Sequence, residues 1–175
     1  MEGTGIGHSM ILETRSLTGI RALLLSARSK ARFKGGNHRK GVHGTMNKDQ
    51  DGKRILIVED DLNIVMSLEI RFRASGYEVH KAYDGITGIE TGLAIEPDLL
   101  LLDISVPEGG GFKVAEALKN HPATWNTPII FFTANQKPGL REKAESLGAV
   151  DFFQKPYDFA TLQASIENIL QSPVP

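Results

Sequence analysis

Apolar residues along this chain alternate between two rhythms. Short unbroken runs mark strands buried on both faces: "RILIV" (54–58), "DLLLLD" (98–103) and "TPIIFFTA" (127–134). "YEVHKA" (77–82) alternates like a strand, and "VDFFQKP" (150–156) reads as a fifth. Between them the spacing becomes helical. In "LNIVMSLEIRFRASG", Leu62, Val65, Met66, Leu68 and Phe72 recur at helical intervals, and Gly76 supplies a stop. "DGITGIETGLAIEP" offers Asp84 as N-cap and ends before Pro97. "GGFKVAEALKNH" is stopped by Pro122. "PGLREKAESLGA" starts with Pro138 near its first turn and ends at Gly148. "DFATLQASIENILQ" closes the series.

The order is βαβαβαβαβα over about 120 residues, which predicts a parallel sheet covered by helices on both faces. Length and strand count fit an α/β, flavodoxin-like, doubly wound five-stranded sheet of order 2-1-3-4-5 with five helices. Such sheets bind ligands outside the carboxyl ends of their strands. The residues that end each strand are therefore the candidates for chemistry. They are Glu59, Asp60 and Asp61 after the first, Asp103 after the third, Thr133 after the fourth and Lys155 after the fifth.

Charge divides the chain. Residues 1–45 hold eight Lys/Arg against two acids, a balance of +6; residues 46–175 hold twelve against nineteen, a balance of −7. Residues 1–52 are a basic Gly/Ser/Arg-rich extension, expected either to be disordered or to lie upstream of a true start at Met46. Within it, "SLTGIRALLLSARSKARF" (16–33) is a candidate basic amphipathic helix. A nucleic-acid or anionic-surface binder and a transit peptide are the other readings of this arm. The folded domain is expected over 53–171, with 172–175 as a tail. There is no cysteine, hence no disulfide framework and no thiolate metal site. No apolar run approaches the roughly 20 residues of a membrane span.

The rim has a consistent chemistry. Clustered carboxylates do not stay ionised together without a cation, and an all-oxygen set suits Mg²⁺. A carboxylate beside that ion can attack a phosphoryl group and form an acyl phosphate. Lys155 and the Thr133 hydroxyl would then meet phosphoryl oxygens. Acids at a helix start also serve as caps, so Asp60 and Asp61 alone would be unremarkable. The joint pattern is what points to a site.

"ILIVEDD" (55–61), "PDLLLLDISVPEGGGF" (97–112), "PIIFFTA" (128–134) and "GAVDFFQKP" (148–156) together resemble the receiver domain of two-component response regulators. The resemblance covers about 53–171 and implies a role for each rim residue. Asp103 is the phosphoacceptor. Glu59 and Asp60 are the acidic pair that holds Mg²⁺, Glu59 through water, and the Ser105 backbone carbonyl is a further ligand. Thr133 is the switch hydroxyl, Lys155 the family lysine with a cis bond to Pro156, and Phe152 the rotating aromatic. Gly111 lets the loop after Asp103 turn tightly. Ser105 and Asn135 flank the path of attacking water, and Val106 stands where the family often has Met.

The implied function is a phosphorelay module and not an enzyme. It takes a phosphoryl group from a sensor histidine kinase or phosphotransfer protein. It then presents a switched face, of the fourth helix, fifth strand and fifth helix, to a downstream effector. The resemblance implies a cytoplasmic, single-domain module, with neither a membrane nor nucleic acid as partner of the receiver. Two rivals stand beside it. A phosphatase of the haloacid dehalogenase type needs a second Asp two residues after the nucleophile, where this chain has Ser105. A docking domain without phosphorylation would show degenerate acids or a lost lysine, and neither is lost.

Overall fold

The computed structural model describes residues 52–171; expectations for 1–51 and 172–175 lie outside the described residues. Five strands alternate with five helices: β1 Arg54–Val58, α1 Leu62–Ala74, β2 Glu78–Ala82, α2 Gly85–Ile95, β3 Leu99–Asp103, α3 Gly110–Lys119, β4 Ile129–Thr133, α4 Leu140–Ser146, β5 Ala149–Gln154 and α5 Phe159–Gln171. All strand pairs are parallel, in the order β2-β1-β3-β4-β5. The predicted topology is the observed one.

The alternation of side chains across each strand builds two cores. Leu100 and Leu102 of β3 face one side with Leu56, Val58, Ile129 and Phe131, against Val114, Ala115 and Leu118 of α3 and Ala144 of α4. Leu99 and Leu101 face the other, with Ile55, Ile57, Ile130 and Phe132, against Leu68 and Phe72 of α1 and Leu162 and Ile166 of α5. Both faces of β1, β3 and β4 are thus dry, which is why their sequences run apolar without a break. At the edge, β5 carries a register irregularity: Ile129 pairs with Ala149 but Ile130 with Asp151. Val150 drops out of the ladder and is exposed.

Helix ends follow their caps. Asp61 accepts from Asn63 N (2.8 Å) and Ile64 N (3.4 Å), and Asp84 accepts from Thr87 N (2.8 Å). Gly76, at φ +94, follows the α1 C-cap Ser75 as expected. Two details differ from the sequence reading. Pro138 lies outside α4, whose N-cap is Gly139 at φ +84, so the chain turns at glycine before the helix begins. In α1 Val65, Leu68 and Phe72 are buried, with Ile64 packed beside them; Leu62, Met66 and Ile70 are 59%, 58% and 66% exposed. They form a second stripe at i, i+4 and i+8, and apolar spacing alone does not say which stripe meets the sheet.

This division of α1 is testable by chemical denaturation. Phe72→Ala, which empties a fully buried aromatic site, should cost about 3–5 kcal/mol. Met66→Ala, one turn and a half away on the exposed stripe, should stay within about 0.5 kcal/mol. Equal losses would place Met66 in the core.

Candidate functional site

The carboxyl edge of the sheet gathers the expected residues. Glu59 follows β1, Asp103 ends β3, Thr133 ends β4 and Lys155 follows β5. The strand order sets β1 and β3 side by side, which brings Glu59 and Asp60 against Asp103. One oxygen from each of these three acids lies within 4.8 Å of the others. Lys155 reaches across β4 to the two buried ones: its Nζ donates to Glu59 Oε2 at 2.5 Å and to Asp103 Oδ2 at 2.7 Å. The side chains of Lys155, Glu59 and Asp103 are only 12%, 2% and 7% exposed. The ammonium also rests 4.6 Å from the centroid of the Phe132 ring.

The second oxygens of the two buried acids are engaged as well. Asp103 Oδ1 accepts the Ser105 N–H at 2.8 Å, and Glu59 Oε1 accepts the Asp61 N–H at 3.1 Å. Thr133 is fully buried; its Oγ1 accepts from Asn135 N at 3.1 Å and lies 3.4 Å from Ser105 Oγ. The Thr133 carbonyl accepts from Lys155 N (2.8 Å) and from the Gln154 side-chain amide (2.9 Å). Lys155–Pro156 is cis, as the resemblance implied. Asp61, the fourth strand-end acid, is spent as the α1 cap. Gly111 has a steric reason: a Cβ there would lie 2.3 Å from the Asp103 carbonyl oxygen, so the turn after β3 closes only on glycine.

Burial and charge oppose one another here. Burial raises the Glu59 carboxyl above its ordinary 4.5, although the hydrogen bonds from Lys155 and Asp61 pull it down. Burial alone would lower Lys155, but its hydrogen bonds to Asp103 and Glu59 outweigh that and hold it above 10.5. Tyr157 stacks edge-on against Phe132, and burial, reinforced by the charges of Glu59 and Asp103, pushes its phenol up to about 12. Phe132 and Tyr157, which floor the cluster, carried no signal in the sequence beyond apolar or aromatic character. Phe152 is buried in the β3–α3–α4 core.

The donor set fits a hard divalent cation. Three carboxylates face one ammonium, so a negative charge is left over, and every available donor is oxygen. Both oxygens of Glu59 and both of Asp103 already accept hydrogen bonds, which leaves the exposed Asp60 the most open of the three to a direct bond.

The class is a doubly wound parallel domain with an acidic cluster at its carboxyl edge, bridged by a lysine, that could hold a metal ion. The model of the response regulator receiver domain matches residues 55–167, and the chain belongs to that family of two-component systems. Phosphorylation by a kinase is the general function of the family. The chain is 37% identical over 118 residues to the transcriptional activator protein IrlR of Burkholderia pseudomallei, covering 67% of this chain and 50% of that one. It therefore spans about half the length of that relative. Among solved structures, the non-phosphorylated HemR receiver domain of Leptospira biflexa superposes with a TM-score of 0.65 at 28% identity, over 70% of this chain and 98% of that one. The receiver domain of the sensor histidine kinase PA1611 of Pseudomonas aeruginosa, with magnesium coordinated in its active-site cleft, gives 0.64 at 30% identity, over 69% and 99%.

The raised Glu59 has a consequence for stability. A carboxyl whose folded value is raised favours the fold fully below its ordinary 4.5 and loses that contribution as pH rises through the folded value. Ionised Glu59 is therefore a burden on the metal-free protein at pH 7. Glu59→Gln should raise the melting temperature at pH 7 in chelator, and the gain should vanish as the pH falls to 4.5 and below. Millimolar Mg²⁺ should raise the wild-type melting temperature by mass action and shrink that gain. A variant less stable than wild type at pH 7 in chelator would show that the Lys155 bond outweighs the burial of Glu59.

Proposed function

We propose that this chain is a phosphorelay receiver that takes a phosphoryl group on Asp103. The observation that carries the reading is the Asp103 carboxylate itself. It is held at the end of a fully buried strand, bonded to Lys155, with two further acids alongside. The receiver domain occupies 53–171 and acts as a signalling module in the cytoplasm, without turnover of a small substrate. A sensor histidine kinase or phosphotransfer protein presents a phosphohistidine. An Asp103 oxygen attacks phosphorus, the P–N bond breaks, and the imidazole leaves with its electron pair.

Asp60 and Asp103, the Ser105 backbone carbonyl, and Glu59 through water would hold Mg²⁺. When bound, the ion neutralises charge on the phosphoryl oxygens. Lys155 exchanges its bond to Asp103 for one to a phosphoryl oxygen, and the Thr133 hydroxyl supplies another donor. Thr133 gives up its approach to Ser105 in doing so. Its carbonyl, tied to Lys155 N and Gln154, carries the movement into β5, and Phe152, already buried, is held in its inward place. The α4–β5–α5 face changes and a downstream effector reads it. Ser105 stands two residues after Asp103, so no second acid serves a phosphatase cycle of the haloacid dehalogenase type.

Intact mass after incubation with acetyl phosphate and Mg²⁺ tests the reading. One phosphoryl adduct is expected on the wild type, absent from Asp103→Asn and strongly reduced in Lys155→Ala or in chelator. No adduct under any condition would leave a docking domain; an adduct that survives in Asp103→Asn would move the acceptor elsewhere.

A further inference from the structure

We infer that Arg141 is a positioning residue: it latches Phe152 into its inward place and so sets the ease with which the partner face can switch. The inference rests on the proposed coupling of Thr133 to Phe152.

One guanidinium grips Phe152 twice. Arg141 Nη2 donates to the Phe152 carbonyl at 3.2 Å, and its Cζ sits 4.7 Å from the centroid of the Phe152 ring. Arg141 belongs to α4 and Phe152 to β5, so the grip joins the two elements. The opposite side of the same residue is anchored to α5. The Phe152 N–H donates to Asp151 Oδ1 at 2.7 Å, and Asp151 Oδ2 accepts from Ser165 Oγ at 2.6 Å. Phe152 is thus tied to both helices that flank β5, while Asp103 is still paired as a carboxylate with Lys155. Phe152 is only 8% exposed.

The two anchors are not equal. Asp151 and Ser165 are half-buried, whereas Arg141 is exposed and lines a cleft of about 270 Å³ between the β4–α4 loop and β5. Its guanidinium can swing into that cleft without repacking the core. Only a planar guanidinium can lie over a ring and reach the adjoining carbonyl together; a lysine ammonium is a single point of charge. Arg141 is therefore the anchor that yields. It acts through Phe152 and lies outside the acidic cluster.

The full chain, with ring-labelled phenylalanine, is compared by NMR as wild type, Arg141→Ala and Arg141→Lys. The Phe152 signal, one of eight, is assigned with Phe152→Leu. Wild type should give one buried ring environment, little altered by acetyl phosphate and Mg²⁺. Arg141→Ala should raise the outward population about tenfold, the factor implied by losing one exposed cation–π contact and one hydrogen bond. Acetyl phosphate should return the ring inward, and Arg141→Lys should resemble the alanine variant. Identical Phe152 signals in wild type and Arg141→Ala without acetyl phosphate would overturn the latch, as would full rescue by lysine. Failure of Asp103 to take up a phosphoryl group would instead strike the proposed function, and the comparison without acetyl phosphate would still decide the latch.

Discussion

The Lys155 ammonium shared between Glu59 and Asp103 is the constraint on which the rest of the site depends. Two carboxylates nearly out of contact with water repel one another strongly, and a deep environment magnifies that repulsion. A cation supplied from β5 has to cross β4 to reach them. It does so over the face of the buried Phe132 ring, 4.6 Å from its centroid. Removing the shared lysine would strand both carboxylates, a loss of the kind that typically costs about 3–5 kcal/mol, whereas removing one acid leaves Lys155 the other. By contrast, the exposed Arg73–Glu69 pair on α1 is of a kind worth well under about 1 kcal/mol.

That cluster is only as fixed as the strands that deliver it. β3 is buried along its whole length, so Asp103 inherits the position of a core strand and not of a loop. The turn after it is closed by contact: Gly111 comes too near the Asp103 carbonyl to admit a side chain, and Gly111 N donates back to the Ile104 carbonyl at 3.2 Å. A second seam fastens the same turn to α2, where Gly85 N donates to the Pro107 carbonyl at 2.9 Å. The flexible-looking "PEGGG" stretch is thus pinned at both ends. The permissive residues are there so that backbones can meet, and the Asp103 carboxylate stays where the core puts it.

The sequence made the sheet legible because three of its strands are dry on both faces, and among the described residues no other element carries four apolar residues in a row. The rim followed from topology: once the order of strands was read, Glu59, Asp60, Asp103, Thr133 and Lys155 fell on one edge. Asp60 and Asp61 could not be separated by type, and only the cap bonds to Asn63 and Ile64 assign Asp61 to the helix. The inward stripe of α1 was ambiguous for a similar reason, since Leu62 and Met66 are as apolar as the residues that meet the core. Arg141, Gln154 and Tyr157 were not legible at all. Their roles arise from contacts between elements distant in sequence, and nothing in a local pattern of charge or spacing encodes such contacts.

The electrostatics of the rim also explain why a domain this well packed keeps an unfavourable feature at its edge. Burial holds Glu59 above its ordinary range while Lys155, pulled by two acids, is held up as well. The lysine's contribution persists through neutral pH and is lost only as the pH rises past 10.5. One ammonium for three carboxylates leaves the cluster short of positive charge, and a site balanced in that way responds to whatever charge is added. On the proposed chemistry, a phosphoryl group on Asp103 draws Lys155 off its carboxylate, and the imbalance passes through the doubly accepted Thr133 carbonyl to β5. A fully neutralised rim would be more stable and would have nothing to transmit.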